Sequence, residues 1–450
     1  MALRTVAIST KSGISAAILV AALILAAVGA VLWRAEFGSG LGPADWSAIR
    51  FTVLQAALSA LLSTMLAIPV ARALARRRFV GRGLLVTLLG APFILPVIVA
   101  VLGVLAVFGR AGWLNAALAA VGLPGITIYG LHGVVLAHVF FNLPLATRLL
   151  LQAWQTVPAE RFRLAAQLGL TPRAVFRSIE LPLLRQILPG TAALIFVICL
   201  TSFAVALTLG GGPRATTIEL AIYQAFRFDF DLNRAALLSL VQLGLAGSTA
   251  ALALWIIPAI SLGGGQDRPL HRWDARGGLQ RWLDALFITL AAGFLLLPLT
   301  SVVLRGVIGL PQMPASVWQA AGTSVTVALI SVVVLLALAL PLAGWIATRA
   351  RGGVEAVGLL GLAASPLMIG TGWFILINPV ASPFALALPV TALVNALMAL
   401  PFALRILVPR LRDTVQIYGR QAEMLGLSGW PFWRWLILPR LRPQIGFAAG

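Results

Sequence analysis

Long apolar runs separated by short polar stretches set the pattern of this chain. They fall at Gly13–Trp33, Phe51–Ala75, Leu84–Phe108, Gly133–Leu151, Ile187–Leu209 and Arg234–Ile257. After a polar, Gly-rich segment they resume at Leu283–Leu304, Ala320–Ala347, Val354–Ile377 and Ala385–Val408. Runs of about 20 residues are what a helix rising 1.5 Å per residue needs to cross roughly 30 Å of hydrocarbon. Helices of a soluble protein would instead carry a polar face along their length. The pattern predicts an all-α polytopic membrane protein. The first run is too long for a signal peptide, and no small-x-small cleavage site precedes a soluble domain, so it reads as a retained span.

Composition agrees: 60% of residues are hydrophobic and 10% charged. The net charge of +20 would by itself suit nucleic acid. The arginines, however, sit in short loops, and every second loop is the richer. Arg72, Arg76, Arg77, Arg78 and Arg82 share one loop, and Arg161, Arg163, Arg173, Arg177 and Arg185 the next on that side. Arg268, Arg272, Arg276 and Arg281 follow, then Arg349 and Arg351, then Arg410, Arg412, Arg420, Arg434, Arg440 and Arg442. The positive-inside rule places this set and the N-terminus in the cytoplasm. The partner is a lipid bilayer and not nucleic acid.

One basic, amphipathic stretch between spans organises the rest: Arg163–Pro182, RLAAQLGLTPRAVFRSIELP. Thr171-Pro172 has the form of an N-cap and a first-turn proline, so a second short helix should follow a turn at Gly169. The arrangement recurs at Arg420–Pro439, RQAEMLGLSGWPFWRWLILP; Gly426 − Gly169 and Pro439 − Pro182 both equal 257. These segments resemble the EAA loop of ABC-importer permeases, which reads EAA, three residues, Gly, nine residues, I-x-L-P. Ala165, Gly169, Ile179, Leu181 and Pro182 match it, as do Ala422, Gly426, Leu438 and Pro439, with Leu436 at the Ile position; the first Ala is Leu164 or Gln421, and Ala166 falls at a free position. The family's Glu is Arg163 in the first copy and Arg420 in the second.

The repeat extends further. LAIPVARALARRR (Leu66–Arg78) answers LALPLAGWIATRA (Leu338–Ala350), and NLPLATR (Asn142–Arg148) answers ALPFALR (Ala399–Arg405). Pro69 and Pro341, Pro92 and Pro366, and Pro144 and Pro401 predict paired bends. The chain thus divides into a first half, 1–262, a cytoplasmic linker, 263–281, and a second half, 282–450. The first half continues past its loop through two more spans, whereas the second reaches Gly450 soon after Pro439; by symmetry a twelve-span protein is expected, seen without its last two spans.

Chemistry on the chain itself is sparse. No phosphate-binding Gly-x-x-x-x-Gly-Lys-Ser/Thr loop occurs, and Lys11 is the sole lysine. His132, His138 and His271 lack metal-ligand spacing, so no metal site is expected. Cys199, the only cysteine, lies in an apolar run. His138 and Asn142, one turn apart, either line a pathway or make interhelical hydrogen bonds. The acidic residues lie nearly all in loops or at span ends, which argues against a proton-driven carrier.

Beyond the fifth span, Gly210–Asp231 reads GGGPRATTIELAIYQAFRFDFD. Thr216 or Thr217 would cap a short helix with Glu219 in its first turn and an apolar stripe of Ile218, Ala221, Ile222 and Ala225. Tyr223, Phe226, Phe228 and Phe230 are interleaved with Glu219, Asp229 and Asp231. This is either an interfacial aromatic belt with solvated charges or an outer gate, formed by Glu219, Tyr223, Phe226, Asp229 and Asp231, for a cationic, ring-containing solute.

Ile128–Pro158, Ala165–Gly169 and Gly210–Phe226 resemble the fused permeases of bacterial thiamine/thiamine-pyrophosphate ABC importers. The resemblance implies a type I ABC-importer permease fold with two homologous halves in tandem, in the bacterial inner membrane. It further implies two copies of a cytoplasmic ATPase subunit, which binds the ATP and Mg, and a periplasmic thiamine-binding protein. On that reading the chain translocates thiamine or its phosphates and is no enzyme. A fused iron(III) permease shares the two loops and is the alternative within the class; a secondary carrier without an ATPase is the alternative outside it.

Overall fold

The computed structural model describes residues 10–35, 40–210, 212, 215–256, 277–349 and 365–449. The front of the chain forms α1 (Thr10–Arg34), α2 (Pro43–Arg76), α3 (Arg82–Leu88), α4 (Ala91–Ile94), α5 (Val97–Phe108), α6 (Trp113–Ala120) and α7 (Leu131–Thr156). Next come α8 (Ala159–Gln167), α9 (Pro172–Val175), α10 (Leu181–Leu200), α11 (Ala204–Leu209), α12 (Ile218–Arg227) and α13 (Leu232–Ile256). The remainder forms α14 (Gly278–Gly309), α15 (Ala315–Arg349), α16 (Pro366–Ile377), α17 (Ala387–Met424), α18 (Gly429–Phe432) and α19 (Leu438–Ala449). No strand occurs among the described residues. Eight helices there are long and apolar enough to cross a bilayer. Most of the linker and the start of the Val354–Ile377 run lie outside the described residues, as do Gly211, Pro213, Arg214, Arg268, His271, Arg272, Arg276 and Arg351.

Three spans differ from the apolar pattern. Leu84–Phe108 is not one helix: it breaks at Gly90 and again at Leu95-Pro96, where Pro96 becomes the N-cap of α5. Proline disfavours helical backbone in the residue before it, and Leu95 is extended. Ile187–Leu209 splits into α10 and α11 around Thr201–Phe203. Ala385–Val408 runs on as α17 to Met424. The prolines also divide. Pro69, Pro341, Pro144 and Pro401 lie inside helices, while Pro92 and Pro366 start α4 and α16 instead of bending them. At α16 the Ser365 hydroxyl accepts the Met368 N–H at 3.0 Å, so cap and proline define a helix start.

Packing divides the chain into two compact units, 41–221 with 248–312, and 1–40 with 222–247 and 313–450. Within the first, α2 packs along α7, α10 and α14, and α14 also packs along α5. Within the second, α1 packs on α15 and α16, and α15 on α17. The leading span of each sequence half therefore lies among helices of the other half. Small residues make these crossings close, as expected where apolar lipid supplies no drive of its own. A Cβ on Gly103 of α5 would stand 2.7 Å from the Pro298 carbonyl oxygen of α14, and one on Gly372 of α16 would collide with the Ala27 oxygen of α1.

Candidate functional site

The loop from α8 to α10 starts with a left-handed turn. Gly169 has φ +64°. Its N–H donates to the Ala166 oxygen at 3.1 Å, and the Leu170 N–H donates to the Ala165 oxygen at 3.0 Å. That pair of bonds is the Schellman closure of a helix, in which the residue after the glycine folds back onto the last turn. Ala165 is buried with Phe162 and Val175, and Leu170, Ile179 and Val157 pack around them. As expected, Thr171 caps α9, its hydroxyl accepting the Ala174 N–H at 3.3 Å, and Pro172 occupies the first turn.

Between α9 and α10, Phe176–Glu180 widens into a π turn, with the Leu181 N–H donating to the Phe176 oxygen. Pro182 supplies the reason. It has no N–H to give, and its ring opposes the carbonyl four residues back, so the helix opens by one residue.

The second loop repeats this geometry. Gly426 has φ +65°, the Gly426 N–H donates to the Glu423 oxygen at 3.0 Å, and the Leu427 N–H to the Ala422 oxygen at 2.8 Å. Trp433–Ile437 forms the matching π turn ahead of Pro439. Ala422 is buried with Phe432 and Ile437. In both loops the remaining positions face outward: Arg163, Ala166, Pro182, Arg420 and Pro439 are exposed, while Leu181, Leu436 and Leu438 are half-buried. Apolar side chains stand out beside them, with Leu164 and Leu168 on one loop and Met424, Leu425, Trp430 and Trp435 on the other.

The loops differ in how they join their spans. Val157-Pro158 interrupts the chain between α7 and α8, whereas Val415 stands at the corresponding place and α17 runs through without a break. They differ also in their ties. Glu180, fully buried, accepts from Arg72 Nε at 2.7 Å and lies 3.7 Å from Arg76 Nη2, so the loop exit is bonded to the end of α2. The Arg72 guanidinium also lies 4.8 Å from the Phe176 ring centre. Arg77 Nε pairs with Asp284 of α14 at 2.7 Å. The motif reading passed over Glu180, though a carboxylate next to the apolar exit of a basic loop was its signal.

His138 and Asn142 sit inside the first unit and are buried. The His138 ring nitrogens meet Ser59 Oγ at 3.3 Å and Ser202 Oγ at 2.8 Å. Asn142 donates to the His138 oxygen and to Cys199 Sγ. Gln55 donates to the Cys199 oxygen at 2.9 Å. Facing them, α2 buries Thr52, Gln55, Ser59 and Ser63, a polar stripe at three- and four-residue spacing legible in the sequence. The acceptor atoms Gln55 Oε1 and Asn142 Oδ1 are buried without a hydrogen-bond partner.

In the outer stretch, Thr217 caps α12, accepting the Leu220 N–H at 3.3 Å. Ile218, Ala221, Ile222 and Ala225 are buried, so this stripe packs on protein. Glu219 is buried too, which departs from solvated charge. Tyr223 meets Phe228 edge-on at 5.8 Å, and Phe226 meets Phe374 edge-on at 4.7 Å. The acidic pair is engaged locally: Asp231 accepts the Arg234 N–H at 2.9 Å, and Asp229 pairs with the Arg234 guanidinium at 3.1 Å. No group of three or more potential metal ligands occurs among the described residues.

No protein-family model matches the chain. Similar proteins extend over most of it. The thiamine transport system permease protein ThiP of Escherichia coli K12 is 43% identical over 438 residues, 93% of this chain and 81% of that protein. ThiP of Brucella abortus strain 2308 is 41% identical over 421 residues, 90% of this chain and 76% of that one. ThiP of Haemophilus influenzae is 32% identical over 443 residues, 94% and 80% of the two chains. With its membrane helices and its two loops of one geometry, the chain belongs to the family of thiamine transport system permeases, the ThiP proteins.

Proposed function

We propose that this permease carries thiamine or its phosphates across the bacterial inner membrane as the transport subunit of an ATP-driven importer. One periplasmic thiamine-binding protein delivers the solute, and two copies of a cytoplasmic ABC ATPase, which hold the ATP and Mg, drive the cycle. Each half, 1–262 and 282–450, supplies one coupling loop. The observation that carries the reading is the pair of Schellman turns and π turns, Gly169 with Phe176–Glu180 and Gly426 with Trp433–Ile437, in register at 257 residues. Exposed apolar side chains outside the spans, Leu168 and Leu425 among them, are what a partner groove would cover. That its relatives are thiamine transport system permeases supports thiamine as the solute.

At the outer face, Tyr223 and Phe226 offer the aromatic surfaces a ring cation seeks, at about 0.5–2 kcal/mol each. Asp229 and Asp231, engaged by Arg234, hold the start of α13, and Glu219 sits buried on α12. His138 and Asn142 would serve the path only by exchanging their interhelical bonds.

The test is reconstitution of the permease with its ATPase and binding protein in vesicles. Thiamine-loaded binding protein should raise ATP hydrolysis and fill the vesicles with thiamine. Stimulation by iron(III) alone would transfer the assignment to a metal importer. Uptake driven by an ion gradient with no ATPase present would end the ABC reading.

A further inference from the structure

The two coupling loops share a backbone, yet their exits are tied to different things. The first is bonded to α2 through Glu180 with Arg72 and Arg76. In the repeat the corresponding residues are Ile437, Gly344 and Thr348, so the ion triad has been exchanged as a set for uncharged side chains. There the Arg440 guanidinium stacks 3.8 Å from the Tyr418 ring centre, joining α19 to α17 on either side of the same loop. The first loop is thus fastened to a neighbouring span by charge, whereas the second shares an apolar core with α15 and is stacked onto α17 by Arg440.

That neighbouring span reaches far. α2 has 34 residues, about 50 Å at 1.5 Å per residue. Near its other end the Thr52 hydroxyl accepts the Ile218 N–H at 2.9 Å, at the first residue of α12. Between them it carries the Ser59–His138 bond.

We infer that Glu180 is a positioning residue that latches the first coupling loop to α2, and that α2 carries the loop's movement to the start of the outer helix α12. The inference rests on the coupling-loop reading above. A carboxylate with no exposure, held by two guanidinium groups, is well suited to the task. Charge-assisted bonds are directional, and either group left behind in a buried site would be strongly disfavoured, so loop and helix move together. The second half, lacking the triad, joins its loop exit to α15 through apolar packing of Ile437 and Leu441 instead. The two ATPase subunits would therefore drive unequal linkages.

The test uses the reconstituted complex of permease, ATPase and binding protein, and reads thiamine imported per ATP hydrolysed. A merely structural role would lower the amount of inserted complex and leave that ratio unmoved. Glu180→Gln should lower it by at least about fivefold, the smallest effect of a typical coupling free energy. Because Glu180→Gln leaves two cations facing a neutral group, a second variant carries the residues of the other half, Arg72→Gly, Arg76→Thr and Glu180→Ile. It strands no charge, should insert like the parent, and should show the same fall. In parallel, Leu168→Cys, exposed on the loop, is cross-linked to the ATPase; the buried Cys199 does not compete. Cross-linking with both ratios lowered supports the latch. Cross-linking with either inserted variant at the parent's ratio overturns the latch and leaves the coupling-loop reading standing. Absence of any cross-link removes that reading and the latch with it.

Discussion

Replacing Gly169 separates two ways in which a coupling turn could fail. A Cβ built there meets nothing within 4 Å, so the permease itself offers no steric obstacle. What remains is the backbone, since φ is +64° and L-residues in the left-handed region lose about 1–2 kcal/mol, a factor of roughly 5–30 in the population of the formed turn. Asparagine tolerates that region better than alanine, and a β-branched residue worst of all. If backbone conformation alone matters, thiamine import per inserted permease should fall in the order Gly169→Asn, Gly169→Ala, Gly169→Val, with Asn close to the parent. The assay is uptake of labelled thiamine in cells lacking other thiamine importers, with the cognate ATPase and binding protein supplied and permease quantified in the membrane. Equal losses for all three would refute the backbone account and point to a collision with the ATPase. Val importing like the parent would show that the turn is not needed.

Gly103→Val should lower the yield of inserted protein, because the Pro298 oxygen lies in the way, whereas Gly29→Val, with open space at its Cβ, should not; quantification in membrane fractions decides between them. His138→Ala removes the bonds to Ser59 and Ser202 and should lower the melting midpoint in detergent, by an interaction free energy of about 0.6–1.7 kcal/mol per bond; an unchanged midpoint would show these bonds contribute nothing. A reporter active only in the cytoplasm should work after Arg78, Arg177 or Arg412 and be silent after Gly40 or Gly212, and the reverse pattern would overturn the orientation.

Features local in the chain were legible in the sequence. Most spans follow from length and apolarity, though Leu84–Phe108 and Ile187–Leu209 are broken, and the two loops follow from spacing. The Thr171 cap and the left-handed glycines followed as well, because each depends on residues no more than about five apart. Even the break before α8 had its sign in Pro158, and the unbroken α17 in Val415. Tertiary structure alone decided which faces meet. Inside a bilayer an apolar run is much the same on all sides, so periodicity does not say which neighbour it takes. Hence the exchange of α1 and α14 between sequence halves, at Gly372 with Ala27 and Gly103 with Pro298, could not be read beforehand. The same holds for Glu180: its charge was visible, but its partners Arg72 and Arg76 lie more than a hundred residues away, and only the packing of α10 along α2 brings them to one point.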